Sequence, residues 1–464
     1  MKDASPLEPP RSRSRVSQGE SVQDPGSQTA TPDTERAAGA EIVVAPEPSL
    51  IDEPVSIRLV GFPPGRRVTI TARTRDDLDR SWTSRAVFLI DDDGVVDLTA
   101  DEPISGSYAG ADAMGLFWSM TLDAPGRGRD TTVFVKTGVD PLAVTITAEV
   151  QGKPDVSTII RRYVVGPGVE ERELTVADDG RAGVLYTPTG SGQFPAVLVV
   201  DGAAGGGTPR PQVAALLASH GYATYTPAYF GDEGLPEDLI EIPLESFDAA
   251  LDWLRTQPRV RNSRPAVVGV SPRGGELALL LGATFGDKVS AVATLTPSAA
   301  IHQGGKRRSG GGPRSPWSYQ GAPLPFLRPR APFSFVARMG VSLVYLRPLP
   351  VADVNRAALK DRAAFERAAI PIEHFQGPVL VTSGRQGLVW PSEMHGDLIV
   401  ERLQAHGHPY PYEHVCYEHA GHIAALPHLP TTGDRVRAPG TRTIVAFGGT
   451  AVGNAYARQD AWAS

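Results

Sequence analysis

The sequence predicts a doubly wound, mostly parallel α/β sheet preceded by an all-β sandwich. Two observations carry this. From about residue 170 onward, short apolar runs alternate with segments of helical period, the pattern of successive βα units. From about residue 41 to 165, short β-rich runs follow one another with turn signals between them. A third observation bounds the start: residues 1–40 are Pro, Ser, Gln and charge with almost nothing to bury, which predicts a disordered tail.

In the first region the strand candidates are EIVVAP, VSIRLVG, RRVTITART, RAVFLI, GVVDLT, TTVFVKT, LAVTITAEV and STIIRRYVV, punctuated by PPG, DDDG and PG. Their spacing fits an immunoglobulin-like sandwich over 41–165, and no residue there suggests catalysis. The second region spans 170–455. FPAVLVVDG is an apolar run closing on the Gly-rich turn AAGGG, and ALLASHGYATYTPAYFG follows as helix then strand. SFDAALDWLRTQP places Phe247, Leu251 and Leu254 on one helical face, and PAVVGV reads as a buried parallel strand. After it Leu277, Leu280, Leu281, Thr284 and Phe285 recur at helical spacing, while GPVLVTSG and YEHVCYEHAGH read as the last two strands. Residues 299–372 hold a Gly/Pro/Arg-rich stretch and a helical segment, VNRAALKDRAAFERAAI, and predict a cap or insertion over a pocket. Its cluster Lys306, Arg307 and Arg308 is either a phosphate contact or a solvated loop.

Bulk composition narrows the function. A net charge of −7 gives no global case for binding nucleic acid or an anionic membrane. No run of about 18 apolar residues and no apolar leader is present, so membrane insertion and general secretion are not expected. The single cysteine, Cys416, excludes a disulfide framework and a thiolate metal cluster and suits a reducing cytoplasm. Small-molecule chemistry without cofactor or metal is the expectation. His406, His408, His414 and His419 form no metal spacing, and His419 with His422 lacks a fitting carboxylate.

Acyl-transfer chemistry on such a sheet needs a nucleophile on a sharp strand-to-helix turn, then an acid, then a histidine after the last strand. GVSPRGGEL places Ser271 on the turn after PAVVGV, and AGH places His422 after EHVCYE, where a general base reaches the serine hydroxyl. The acid is expected after GPVLVTSG.

The chain resembles the acyl-CoA thioester hydrolase and bile acid-CoA:amino acid N-acyltransferase family over nearly everything after residue 40. DEPVSIRLVGFPPGRRVTI, VVDL and GSYAGADAMGLFWSM are similar to its β-sandwich; RGGELALLLGA, PRSPWSYQGAPLPFL, VWPSEM, RLQAHG and AGH are similar to its α/β-hydrolase domain. The resemblance implies an acyl thioester of CoA, or of a carrier, as ligand, with the acyl group passing to an elbow serine or cysteine and then to water or an amine. Ser271 matches the nucleophile and His422 the base. Amino-acid conjugation in the family goes with a cysteine nucleophile, whereas Cys416 lies on the strand before His422 and reads as a packing residue, so water is the expected acceptor.

Two departures from the family pattern stand out. Where the family resembles S-G-x-D-D-x-x-W-P-S, this chain reads SGRQGLVWPS, so Gln386 and Gly387 replace the two aspartates and the triad-acid position, Gly387, is vacant. Replacing the acid by its amide costs roughly 10⁴ in turnover in serine proteases. Glu393 and Asp397 are candidate replacements, or else ordinary acids of a helix N-terminus. Pro272 is the second departure. The residue after the nucleophile normally donates one oxyanion-hole N–H, proline has none, and a lost donor costs about 3 to 4 kcal/mol. Two residues, Pro272 and Arg273, also separate Ser271 from Gly274, so either Ser271 is the nucleophile or Pro272 stands in its place. Ala203, Ala204 and Arg273 are the oxyanion-hole candidates.

Three functions follow: an acyl-CoA thioesterase or related acyltransferase working through a seryl acyl-enzyme; an impaired relative that binds an acyl thioester or partner without turnover; or a repurposed pocket in which His422 transfers protons.

Overall fold

Between Glu41 and Tyr163 the computed structural model has two facing sheets. The smaller joins Glu41–Ala45, Ser56–Val60 and Val96–Asp97, all antiparallel. The larger runs in the order Ser49–Leu50, Val156–Tyr163, Leu142–Val150, Arg67–Arg75, Ser81–Leu89, Ser105–Gly106, antiparallel except at Ser49–Leu50. Period-two patterning dictates the burial: along Leu142–Val150, the side chains of Leu142, Val144, Ile146, Ala148 and Val150 are inside while Ala143 and Glu149 are out. TTVFVKT is not a strand. It runs as an irregular segment whose Thr132 and Val133 N–H groups donate to the Arg435 carbonyl at 2.9 and 3.3 Å, so a residue of the distant short strand Arg435–Arg437 takes these bonds.

The structure describes residues 39–124, 131–202, 211–305, 312–345, 347–423, 426–437 and 443–464. The expected tail up to residue 38 and the cluster Lys306, Arg307 and Arg308 lie outside them.

The second region is built on eight strands: β1 (Val169–Leu174), β2 (Ala182–Pro188), β3 (Ala196–Val200), β4 (Ala223–Ala228), β5 (Ala266–Val270), β6 (Val292–Leu295), β7 (Val379–Gly384) and β8 (Tyr412–Tyr417). They lie in the order β1-β2-β4-β3-β5-β6-β7-β8, with β2 antiparallel to its neighbours and the rest parallel. This is the α/β-hydrolase sheet. Its helices include α1 (Gln212–Ser219), α2 (Leu244–Arg255), α3 (Ser271–Thr284), α4 (Ser392–Ala405) and α5 (Ala451–Ala463).

The continuous apolar run of β3 follows from a sheet covered on both faces. Leu198 and Val200 join a core with Leu251 of α2 and Leu277 of α3, whereas Val197 and Val199 face the other way and join the sandwich core with Leu216 of α1. Burying each such side chain is worth roughly 1.5–3 kcal/mol. The helical segment 354–370 divides into Ala352–Leu359 and Arg362–Ala368, because the Asp361 carboxylate accepts the Ala364 N–H at 3.1 Å and starts a new helix. Among the described residues no helix is long and apolar enough to cross a membrane.

Candidate active site

Ser271 stands at the junction of β5 and α3 with φ 67°, in the left-handed region. A non-glycine residue held there carries about 1–3 kcal/mol of strain, which persists only where the surroundings impose it. The surroundings here are two glycines. A Cβ on Gly269 would stand 2.4 Å from the Gly274 carbonyl oxygen, and one on Gly274 would stand 2.4 Å from that of Val200, so strand, turn and helix touch by backbone alone. Pro272 falls in the first turn of α3, where a missing N–H breaks no intrahelical bond and the ring's fixed φ suits the helix. The two alignments open in the sequence are thereby reconciled: Gly274 is the close-packed glycine while Ser271, three residues before it, takes the strained position. Arg273 fills the added place. Its guanidinium pairs with buried Glu276 and donates to the carbonyls of His302 and Gln303 at 3.1 and 2.9 Å.

His422 follows β8 in a turn clamped by backbone contacts. Its N–H donates to the Phe447 carbonyl at 3.2 Å, and its ring packs edge-on against Phe447. The Gly421 N–H donates to Asn454 Oδ1 of α5 at 2.8 Å. These contacts bring His422 Nε2 to 3.3 Å from Ser271 Oγ, across 151 residues of chain. Gly202, after β3, runs directly beneath the serine: a Cβ there would lie 2.9 Å from Ser271 Cβ. The oxyanion candidates Ala203 and Ala204 continue that loop outside the described residues.

The acid position is closed. Gly387 N–H donates to the Gly384 carbonyl at 3.3 Å, Gly387 bridges to Gly448, and a Cβ on it would stand 2.6 Å from the Trp390 carbonyl oxygen. Neither candidate replacement reaches His422. Glu393 accepts from Arg356 at 3.3 Å, and exposed Asp397 accepts from His414 Nδ1 at 3.1 Å. Both are bound on α4 by these other partners. His414 in turn meets buried Ser383 through Nε2 at 2.7 Å, and burial holds its pKa below the usual histidine range. Cys416 is half-buried on β8, opposite Ser383 in the register. Among the described residues no group of three or more His, Cys, Asp or Glu is placed to hold a metal ion.

Sequence reasoning missed Asp201. It closes the run FPAVLVVDG at the carboxyl end of β3, where such sheets carry their functional groups, and that position was the available signal. It is 7% exposed, its Oδ1 accepts the Gly202 N–H at 2.6 Å, and its carbonyl accepts the Tyr229 hydroxyl at 2.7 Å. Burial, seconded by this carboxylate, pushes the Tyr229 phenol above its usual range. Asp201 and His422 line one cavity of about 940 Å³, walled largely by aliphatic side chains from the sandwich-facing side of the sheet. That size is typical of a small-molecule site.

Two family models match the chain: the acyl-CoA thioester hydrolase/BAAT N-terminal region over residues 52–176, and the BAAT/acyl-CoA thioester hydrolase C-terminal region over 242–464. Similar curated proteins include acyl-coenzyme A amino acid N-acyltransferase 2 of Mus musculus, 28% identical over 91% of this chain and 95% of its own. Another is acyl-coenzyme A thioesterase 1 of Homo sapiens, 29% identical over 89% of this chain and 91% of its own.

Proposed function

The chain belongs to the acyl-CoA thioester hydrolase/BAAT family, and we propose that within it this protein hydrolyses acyl-CoA thioesters through a seryl acyl-enzyme on Ser271. Thioester hydrolysis or acyl transfer is the activity its relatives carry. The observation that supports this reading most is the strained φ of Ser271 together with its 3.3 Å approach to His422 Nε2. Backbone strain of this kind exposes a nucleophile at the top of the sheet. We read 41–165 as a β-sandwich domain and 170–455 as the hydrolase domain carrying both residues.

In the reaction, His422 Nε2 takes the Ser271 proton as Oγ attacks the thioester carbonyl, forming a tetrahedral oxyanion. Collapse breaks the carbon–sulfur bond, and the CoA sulfur leaves with the proton held by His422. Water then enters, gives its proton to the same nitrogen and attacks the acyl-enzyme. Return of that proton to Oγ releases the free acid. A serine on the elbow, with the only cysteine inside β8, favours water over an amine as acceptor.

Pro272 has no N–H to offer the oxyanion, so we assign that donation to Arg273, whose N–H lies in the unbonded first turn of α3, at the positive end of the helix dipole. We assign the carboxylate of the site to Asp201, which shares the cavity wall with His422. The single free cysteine fits a cytoplasmic setting. Free-thiol release from a panel of acyl-CoA thioesters, compared with Ser271→Ala and His422→Ala, tests the proposal. Turnover lost in both variants supports it, and wild-type rates equal to both variants across the panel overturn it.

A further inference from the structure

The cavity that begins at His422 contains a cation that the acyl-transfer reaction does not use. Arg458 of α5 lines its wall. The side chain is half-buried, and part of it faces this cavity. Among the described residues it makes no hydrogen bond or ion pair, and its Nε is buried without a partner. Burial draws its pKa down to about 10, with no carboxylate opposing the shift. Two other charged groups on this wall are committed elsewhere: Asp52 accepts from His220 and from the Trp462 indole at 2.5 and 2.6 Å, and Lys136 pairs with Asp77 at 3.2 Å. A guanidinium whose Nε is buried with no anion among the described residues is unfavourable, and guanidinium geometry matches a carboxylate.

Its position along the cavity is set by the helix. Asn454 holds the His422 turn through Gly421, and Arg458 lies one turn further along the same face, roughly 6 Å on. Trp462, a turn beyond, binds Asp52. The opposite wall is aliphatic. It runs along β5 from Val270, next to Ser271, back to Ala266, which is roughly 13 Å of strand, with Val199, Ala293 and Leu295 beside it. The cavity thus starts at Val270 and His422, the chain neighbour and the ring partner of Ser271, and has a cation part-way along its wall.

We propose that this cavity receives the acyl chain and that Arg458 binds a carboxylate carried at the chain's far end, so that the preferred substrates are monothioesters of dicarboxylic acids. The inference rests on Ser271 and His422 being the acyl-transfer pair.

The test compares succinyl-, adipoyl- and dodecanedioyl-CoA with butyryl-, hexanoyl- and dodecanoyl-CoA, by kcat/KM, in the wild type and in Arg458→Met and Arg458→Lys. At the best-fitting length the wild type is expected to favour the carboxylated chain about tenfold or more, the effect of one charge-assisted contact. Arg458→Met abolishes that preference while sparing the uncharged chain, and Arg458→Lys keeps part of it. No preference at any length, or equal losses on both chains in Arg458→Met, overturns the proposal. Removing an unpaired buried charge is expected to leave the melting temperature of Arg458→Met unchanged or raised, so loss of fold is not anticipated.

A second arm is independent of turnover. Calorimetric binding of the monomethyl esters of adipic and dodecanedioic acids to Ser271→Ala is expected, and is lost when Arg458→Met is added. If no thioester is hydrolysed yet the half-esters bind through Arg458, the acyl-transfer reading fails and the carboxylate subsite stands. If thioesters are hydrolysed and the half-esters bind equally with and without Arg458, the subsite fails alone. Dodecanoate binding through Arg458 as tightly as the half-ester would assign the cation to a fatty acid entering head first, and would also overturn the proposal.

Discussion

Ser271 Oγ lies 3.3 Å from His422 Nε2, with the serine backbone in the left-handed region at φ 67°. A nucleophile and its base act as a unit, so their losses do not add. Ser271→Ala and His422→Ala are each expected to lower kcat at least roughly 10³-fold, and the double variant no further. Single-turnover thiol release measures all three, and additive losses would show that the two residues act separately.

Pro272 removes a donor from the first turn of α3. Pro272→Ala supplies that N–H and frees Ser271 from the restriction a following proline imposes. The expected result is a rise in kcat of about tenfold to a hundredfold with little change in KM, since the added bond forms chiefly to the oxyanion. A rise in KM alone would instead point to ground-state binding.

Restoring the family's acid by Gly387→Asp is expected to fail. A Cβ at this position stands 2.6 Å from the Trp390 carbonyl oxygen, a backbone atom that cannot rotate away. Forcing the loop apart costs about 1–3 kcal/mol, read as a lower melting temperature without gain in turnover. A faster and equally stable variant would mean that the loop opens readily.

Among the carboxylates, Asp201→Asn is expected to lower kcat by roughly 10² or more, while Glu393→Gln and Asp397→Asn leave it within about twofold. The last two are bound to Arg356 and His414, away from His422. Turnover of the three variants on one acyl-CoA ranks them, and a dominant effect at Glu393 or Asp397 would return the acid to α4.

Buried His428 links stability to pH. Burial first, then the Arg162 guanidinium, lowers its pKa from 6.5 to about 4 in the folded chain. The folded value lies below the unfolded one, so the unfolded chain binds more protons between them. The contribution is complete above about pH 6.5 and is lost as pH falls toward 4, in all about 3 kcal/mol. His428→Asn, which tolerates the local φ of 55°, is expected to flatten the fall in melting temperature across that window. An unchanged slope would assign the acid sensitivity to other groups, such as buried His395, whose pKa burial also lowers.

What the sequence by itself determined was set by local periodicity. The unbroken apolar run before Asp201 could only be a strand covered on both faces, Ser271 had to fall on the turn after PAVVGV, and His422 had to follow the last strand. β6 was harder to see, because Val292–Leu295 offers four residues and no distinctive period. Tertiary structure decided whatever depends on which backbones meet. Gly274 fits against Val200, Gly387 is sealed beneath Trp390, and Arg273 is drawn to Glu276 and the His302 carbonyl. The isolation of Arg458 among the described residues is of the same kind. A cavity between β5 and the last helix joins segments nearly two hundred residues apart in sequence. A charge can be recognised as unpartnered only once every neighbour around it is in place, and no local pattern of residues encodes those neighbours.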